Sequence, residues 1–201
     1  MMMSKGIGMF DLEKHYSFYG AYHTNPMNVL VHTLLVWPNV FAALLFLYAA
    51  PPILDPSKLG LFGGVLRLDV GLIHALIHAI LYVRMDKKSG ALAALLCFSC
   101  WVGSSFLAAQ IGVSLAMKVG VAAQVVCWAG QFLAHGLFEK RSPGMEDNTV
   151  HAYLMGPFYL LLQVLQFVGY EPYPGFNKRV DSQIEVEIKK CTEKQQLKKV
   201  K

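Results

Sequence analysis

The residues of this sequence best suited to chemistry are histidines that lie in or beside long apolar segments. Asn28 and His32 are one helical turn apart on the same face, and His23 comes shortly before them. Further along, His135 and Glu139 are again four residues apart and share a face. Imidazole and carboxylate groups suit a divalent metal, and two histidines with one carboxylate form the ligand set of non-haem Fe(II) oxygenases. The spacing therefore predicts a metal site built from His23, His32, His135 and Glu139, with Asn28 beside it.

A second pair of histidines, His74 and His78, lies inside another apolar segment. Ionisable groups at such positions are costly, so the pair is a functional candidate, although a weaker one. The HxxHH box of membrane desaturases is absent, and a haem would need histidines that face each other across helices. His78 could supplement the first site. His15 and His151 stand in polar segments, and we expect both to be surface residues.

The elements that position these residues are membrane helices. Of the 201 residues, 55% are hydrophobic and only 15% are charged, whereas a soluble domain carries about 25% charged residues. Apolar runs of about 20 residues recur, which is the length that crosses the hydrocarbon core of a bilayer. The sequence therefore predicts an all-α integral membrane bundle with about four transmembrane helices and a fifth apolar segment that is interfacial or re-entrant. The four spans are residues 27–50, 61–83, 91–109 and 114–138, and the fifth segment is residues 153–170. Asn25 and Pro26 mark the start of the first span, because Asn can cap a helix and Pro can occupy its first turn.

The basic residues indicate topology. The net charge is +5, but Lys and Arg lie between the apolar runs without interleaved aromatic residues, so no nucleic-acid partner is expected. Four crossings with a cytosolic N-terminus put the basic loops at 84–88 and 140–141 on the cytosolic side, as membrane proteins prefer. Both histidine clusters then lie at the cytosolic face. We divide the chain into a membrane domain, residues 1–175, and a basic cytosolic tail, residues 176–201.

Two further patterns bear on location and chemistry. Lys198 and Lys199 stand at the third and fourth places from the end, as in the dilysine signal of endoplasmic reticulum membrane proteins. Cys97 and Cys100 form a CxxC inside an apolar run, where thiols are usually packing groups. The sequence contains no recognisable catalytic triad, P-loop or dinucleotide motif, and it leaves the oligomeric state open.

Two motifs carry a resemblance to a known family. They are FYGAYHTNPMNVLVH at residues 18–32 and QFLAHGLFEKRSP at residues 131–143. Together they resemble the 2-hydroxy-fatty-acid dioxygenases of the endoplasmic reticulum, in particular the plant members. The resemblance implies an Fe(II) enzyme that uses O2 to shorten a long-chain 2-hydroxy fatty acid by one carbon, in fatty-acid α-oxidation during sphingolipid breakdown. It also implies that His23, His32 and His135 are the iron ligands. The sequence departs from the family pattern after Pro143 and at His74 and His78.

The implied substrate fits the residues around the motifs. A 2-hydroxy acid could chelate iron through its carboxylate and hydroxyl groups while its chain lies among the spans. Lys140 and Arg141 could steer the acidic headgroup to the site, or they could only fix the topology. Two other functions remain open at this stage. One is a non-catalytic membrane scaffold or lipid-binding protein with structural histidines, and the other is a haem electron carrier.

Overall fold

The computed structural model describes residues 10–53, 62–140 and 149–200, and the side chains of all these except 149–152 and 191–200. Within these ranges the structure contains α-helices and one π-helical turn but no strand, so the predicted all-α fold is confirmed. The helices are α1 (Leu12–Tyr22), α2 (Pro26–Leu47), α3 (Val70–Met85), α4 (Lys87–Ile111), α5 (Val113–Ala134), α6 (Thr149–Phe167) and α7 (Phe176–Val200). The π turn, His135–Glu139, continues α5.

Helices α2 and α5 form the central antiparallel pair. Asn25 caps α2 by accepting a hydrogen bond from the Met27 N–H at 2.9 Å, and Pro26 occupies the first turn, as the sequence predicts. On α5, a Cβ atom at Gly120 would lie 2.9 Å from the backbone nitrogen of Phe46. Glycine therefore lets the two backbones approach closely near one end of the pair. At the other end His32 and His135 meet.

Helices α3 and α4 form a hairpin around Asp86. The Asp86 carboxylate accepts hydrogen bonds from the backbone and hydroxyl of Ser89 at 2.8 and 2.6 Å. A Cβ atom at Gly90 would lie only 2.1 Å from the carbonyl oxygen of Tyr82, so the turn requires glycine there. At the opposite end of α3, Asp69 caps the helix and pairs with Arg67 at 3.3 Å.

The structure corrects the bounds of the second predicted span. Residues 61–83 were expected to form a helix, but α3 begins only at Val70 and has 16 residues. Arg67 and Asp69 therefore lie before the helix rather than in it. Among the described residues, three helices are long and apolar enough to cross a membrane, namely α2, α4 and α5 with its π turn. Four crossings thus stay a prediction, because α3 falls below the length of these three.

The outer faces of these helices expose large apolar side chains. Leu34 on α2, Leu95 on α4 and Val126 on α5 are each more than 60% exposed. A soluble protein rarely exposes contiguous apolar surface on this scale, whereas a bilayer solvates it. The exposure supports the predicted membrane bundle.

Helices α1, α6 and α7 pack together at the histidine end of the bundle. Tyr16 on α1, Phe158 and Tyr159 on α6 and Phe176 on α7 belong to one buried cluster. The buried Phe176 lies in the segment predicted to be a tail, so the start of that segment is part of the packed domain. Whether α6 crosses the membrane or lies at its surface stays a prediction.

Candidate functional site

Three histidines from separate parts of the chain meet at one point. The ring centroids lie 4.7 Å apart for His23 and His32, 4.9 Å for His23 and His135, and 4.8 Å for His32 and His135. One nitrogen atom of each ring lies within 4.8 Å of the other two. His32 and His135 are buried and His23 is half-buried. Metal–nitrogen bonds of about 2.1 Å would hold such nitrogens roughly 3 to 3.5 Å apart, so small side-chain rotations close the group on an ion.

Backbone carbonyls orient two of these rings. The Nδ1 atom of His23 lies 2.9 Å from the carbonyl oxygen of Tyr19, and Nδ1 of His32 lies 2.9 Å from that of Asn28. A carbonyl oxygen can only accept, so Nδ1 carries the proton and Nε2 keeps its lone pair. Metal-binding histidines are usually fixed in this way. The Tyr19 ring also stacks on the His23 ring at a centroid distance of 4.0 Å.

His23 is suited to a metal for a second reason. It lies between α1 and α2, where burial by the surrounding protein lowers the pKa of its imidazole well below the usual range. His32 and His135 nearby lower that pKa further. The ring is therefore neutral at physiological pH, which is the form that binds metal.

Glu139 holds the loop that carries His23. One carboxylate oxygen accepts hydrogen bonds from the backbone N–H groups of Thr24 and Asn25, both at 2.8 Å, and from the side-chain amide of Asn28 at 3.1 Å. The other oxygen accepts from the Thr24 hydroxyl at 2.9 Å. The group of candidate metal ligands among the described residues comprises the three histidines and not Glu139. That Glu139 is itself a ligand stays a prediction.

The π turn at the end of α5 separates the directions of His135 and Glu139. The two residues open and close the turn, and Lys140 follows in a left-handed conformation with φ 51°. π turns inside α-helices are rare and occur frequently at functional sites. His135 joins the histidine group while Glu139 reaches the start of α2. No sequence pattern predicted the turn, because its residues are compatible with an ordinary helix.

The histidine group lies at one end of a cavity bounded mainly by apolar side chains. The wall on α2 runs from His32 through Val36 and Val40 to Ala43, a length of roughly 16 Å. Trp128 and Phe132 on α5 and Pro157 and Tyr159 on α6 form other parts of the wall. The cavity is therefore long, and its wall on α2 beyond His32 is largely apolar.

The remaining predicted residues fall in several places. Lys140 is exposed beside Glu139. His74 and His78 line the cavity but do not belong to the three-histidine group. His15, expected at the surface, is half-buried and also lines the cavity. Arg141, the departure after Pro143 and the side chain of His151 lie outside the described residues.

Sequence reasoning missed the residues that support the histidines. Thr24 and Asn25 donate to Glu139, and Gln163 on α6 donates to the His23 carbonyl at 3.2 Å. These contacts join residues more than 100 positions apart in the sequence, so no local sequence pattern predicts them. The Thr-Asn-Pro start of α2 was the available signal, because its free N–H groups attract a carboxylate.

Fold and site together define a helical membrane protein with a candidate metal centre at the end of an apolar cavity. A family model described as 2-hydroxy-palmitic acid dioxygenase Mpo1-like matches residues 9–168. The chain belongs to this family. It is also 27% identical over 167 residues to 2-hydroxy-palmitic acid dioxygenase MPO1 of Saccharomyces cerevisiae, a match that covers 83% of this chain and 87% of the yeast protein. No solved structure matches the chain.

Proposed function

We propose that this protein is an Fe(II)-dependent dioxygenase that shortens long-chain 2-hydroxy fatty acids by one carbon in sphingolipid breakdown. The observation that carries the proposal is the group of three converging histidines at the end of a mainly apolar cavity, in a chain of a dioxygenase family. We place the enzyme in the endoplasmic reticulum membrane with both termini cytosolic.

The donor set fits a redox-active divalent metal. Imidazole suits iron, and three protein ligands leave coordination positions open for small molecules. His23, His32 and His135 would hold the ion, and iron would supply the affinity for O2 that side chains lack. Glu139 is proposed to act mainly as a positioning residue, because its hydrogen bonds fix the loop of His23. Its negative charge also offsets part of the charge of the ion.

The cavity would bind the acyl chain and exclude water from the reacting end. Its apolar wall along α2 follows the direction in which a chain would extend from the histidines. The reaction balances with one O2: the bond between C1 and C2 breaks, C1 leaves as CO2, C2 becomes the new carboxyl carbon, and one water forms. Lys140 is exposed next to the site and could attract the carboxylate of the substrate.

The test combines metal analysis with turnover. Protein purified in detergent should contain about one iron per chain and, with Fe(II) under air, should convert 2-hydroxypalmitate to the acid one carbon shorter. His135→Ala should lose the iron and lower turnover by at least about a hundredfold. Leu133→Ala is the matched control, because Leu133 lies on the same helix but is 62% exposed on the outer face.

Two outcomes would contradict the proposal. Folded wild-type protein without iron and without turnover would favour a scaffold or lipid-binding protein with structural histidines. Full turnover in His135→Ala would remove that histidine from the metal site.

A further inference from the structure

The apolar cavity contains a second polar region, distant from the three histidines. Asn39, His74, His78 and Tyr153 all line the cavity. The rings of His74 and His78 lie 4.2 Å apart, and that of Tyr153 lies 6.1 and 6.3 Å from them. No role in the proposed metal site accounts for these four side chains.

Three of these four side chains, those of Asn39, His74 and His78, lie at a similar level along the axes of α2 and α3. Arg67, just before α3, donates to the carbonyls of Tyr48 and Ala50, just after α2, so α3 runs antiparallel to α2. Near this end a Cβ atom at Gly71 would lie 3.7 Å from the side chain of Leu44.

The contact between Gly71 and Leu44 serves as the reference level, and the distance of each residue from it follows from the helical rise per residue. His74 and His78 lie about 4.5 and 10.5 Å along α3 from Gly71, and Asn39 lies about 7.5 Å along α2 from Leu44. The three residues therefore form a band across the cavity, and its centre on α2 is roughly 10 Å from His32.

One polar atom in this band is buried without a partner in the described part of the chain. The Oδ1 atom of Asn39 is buried and has no hydrogen bond there. His78 is 3% exposed, and its one hydrogen bond to a described residue joins Nδ1 to the carbonyl oxygen of His74 at 2.8 Å. A buried polar atom without a partner costs free energy, so Asn39 Oδ1 indicates a bound group.

The hydrogen-bonding roles select the chemistry of that group. Because the His74 carbonyl only accepts, Nδ1 of His78 carries the proton and Nε2 is an acceptor. Asn39 Oδ1 is an acceptor as well. Each of these atoms needs a donor. A hydroxyl group carries one proton and can donate to one of the two at a time, whereas a ketone, an ether or a plain alkyl chain donates to neither.

Charge disfavours a second carboxylate in this band. None of the described residues that line the cavity is Asp, Glu, Lys or Arg, and neither His74 nor His78 belongs to the group of candidate metal ligands. A carboxylate here would therefore be buried among neutral groups without a cation beside it, at high cost. A neutral hydroxyl carries no such penalty.

We infer that the cavity recognises acyl chains that carry a hydroxyl group near their middle, about 10 Å from the reacting end, through Asn39 and His78. The inference builds on the proposed function, because it narrows the substrate class to long-chain 2-hydroxy acids with a second, mid-chain hydroxyl. His74 and Tyr153 complete the polar band around that hydroxyl.

The test measures binding of ligands that cannot react. The purified protein, loaded with a fluorescent fatty acid, is titrated with three kinds of ligand, and displacement of the fluorescent acid is measured. The ligands are palmitate, palmitate with a hydroxyl at each successive mid-chain carbon, and the corresponding keto acids. One or two hydrogen bonds should make the best hydroxy acid bind about tenfold more tightly than palmitate. The keto acids should show no such gain.

Two variants locate the effect. His78→Leu and Asn39→Leu should each lower the affinity for the hydroxy acid relative to that for palmitate. Thr33→Val is the control, because its hydroxyl bonds the Val29 carbonyl on the same helix and does not line the cavity. Wild-type protein that shows no hydroxyl preference at any position would overturn the inference, even if the variants fail to fold.

Turnover of 2-hydroxypalmitate, measured in parallel, separates this inference from the proposed function. A hydroxyl preference without turnover would support the polar band as a binding site and contradict the proposed enzymatic function. Turnover without the preference would support the enzyme and show that the band holds only water.

Discussion

Replacement of Glu139 by glutamine distinguishes a metal ligand from a residue that positions one. The glutamine Oε1 atom can still accept from the backbone of Thr24 and Asn25 and from Asn28, which now bond one oxygen of Glu139. Its amide nitrogen would face the Thr24 hydroxyl, which can rotate to accept. We therefore expect Glu139→Gln to lower metal affinity by no more than about tenfold.

Glu139→Ala gives the largest loss of metal affinity that we expect from removing a positioning residue at this site. Glu139→Ala removes the acceptor for two backbone N–H groups and two side chains. Each donor left buried without a partner costs about 1 to 3 kcal/mol, but Thr24 is exposed enough for water to replace part of the loss. If two donors stay unpaired, the loop of His23 loses roughly 2 to 6 kcal/mol. Metal affinity should then fall by about ten- to a hundredfold, as for other residues that orient a ligand.

The assay is competition for Fe(II) or Co(II) with a chromophoric chelator, under conditions in which all variants have the same helical circular dichroism. The expected order of affinity is wild type, Glu139→Gln, Glu139→Ala and last His135→Ala. If Glu139→Gln loses metal as completely as His135→Ala, Glu139 is a direct ligand and the positioning argument is wrong.

Two further predictions concern the scaffold. Gly90→Ala should lower the thermal unfolding temperature in detergent markedly, because the new Cβ would lie 2.1 Å from the Tyr82 carbonyl oxygen, whereas Gly136→Ala, with nothing within 4 Å of its Cβ, should change it little. Equal effects of the two substitutions would refute the close approach of α3 and α4. The hydrogen bond from Arg179 holds the pKa of Glu13 below its usual value of 4.5. The ionised carboxylate therefore stabilises the contact between α1 and α7 at pH values above 4.5, and this stabilisation is lost as the pH falls through the lowered pKa. Hydrogen exchange of α7 should rise on acidification in wild type, and a Glu13→Gln variant with the same pH response would contradict this role.

Local signals predicted much of the fold. Asn25 and Pro26 marked the start of α2 because a cap and a first-turn proline act within a few residues. The start of α3 was misplaced although Asp69 before an apolar run is also a cap signal, since the apolar residues before it favoured a longer helix. The burial of Phe176 in the predicted tail depends on its contact with α1, which no local pattern contains.

The candidate site was predictable in part for the same reason. The histidine spacings and the topology predicted that the two clusters would lie at one face, and His23, His32 and His135 do meet. The role of Glu139 was not predictable, because its partners lie more than 100 residues away in sequence. The π turn also changes the geometry that ordinary helical spacing implies for Glu139.

The separation of the three histidines along the chain has a consequence for biogenesis. His23 and His32 leave the ribosome early, whereas His135 ends α5, after the α3–α4 hairpin has been made. The complete group therefore cannot exist until five of the helices, α1 to α5, have been synthesised. A shorter nascent chain would lack the third imidazole, so a metal with open coordination positions would be held only after α1 to α5 are present to shield it.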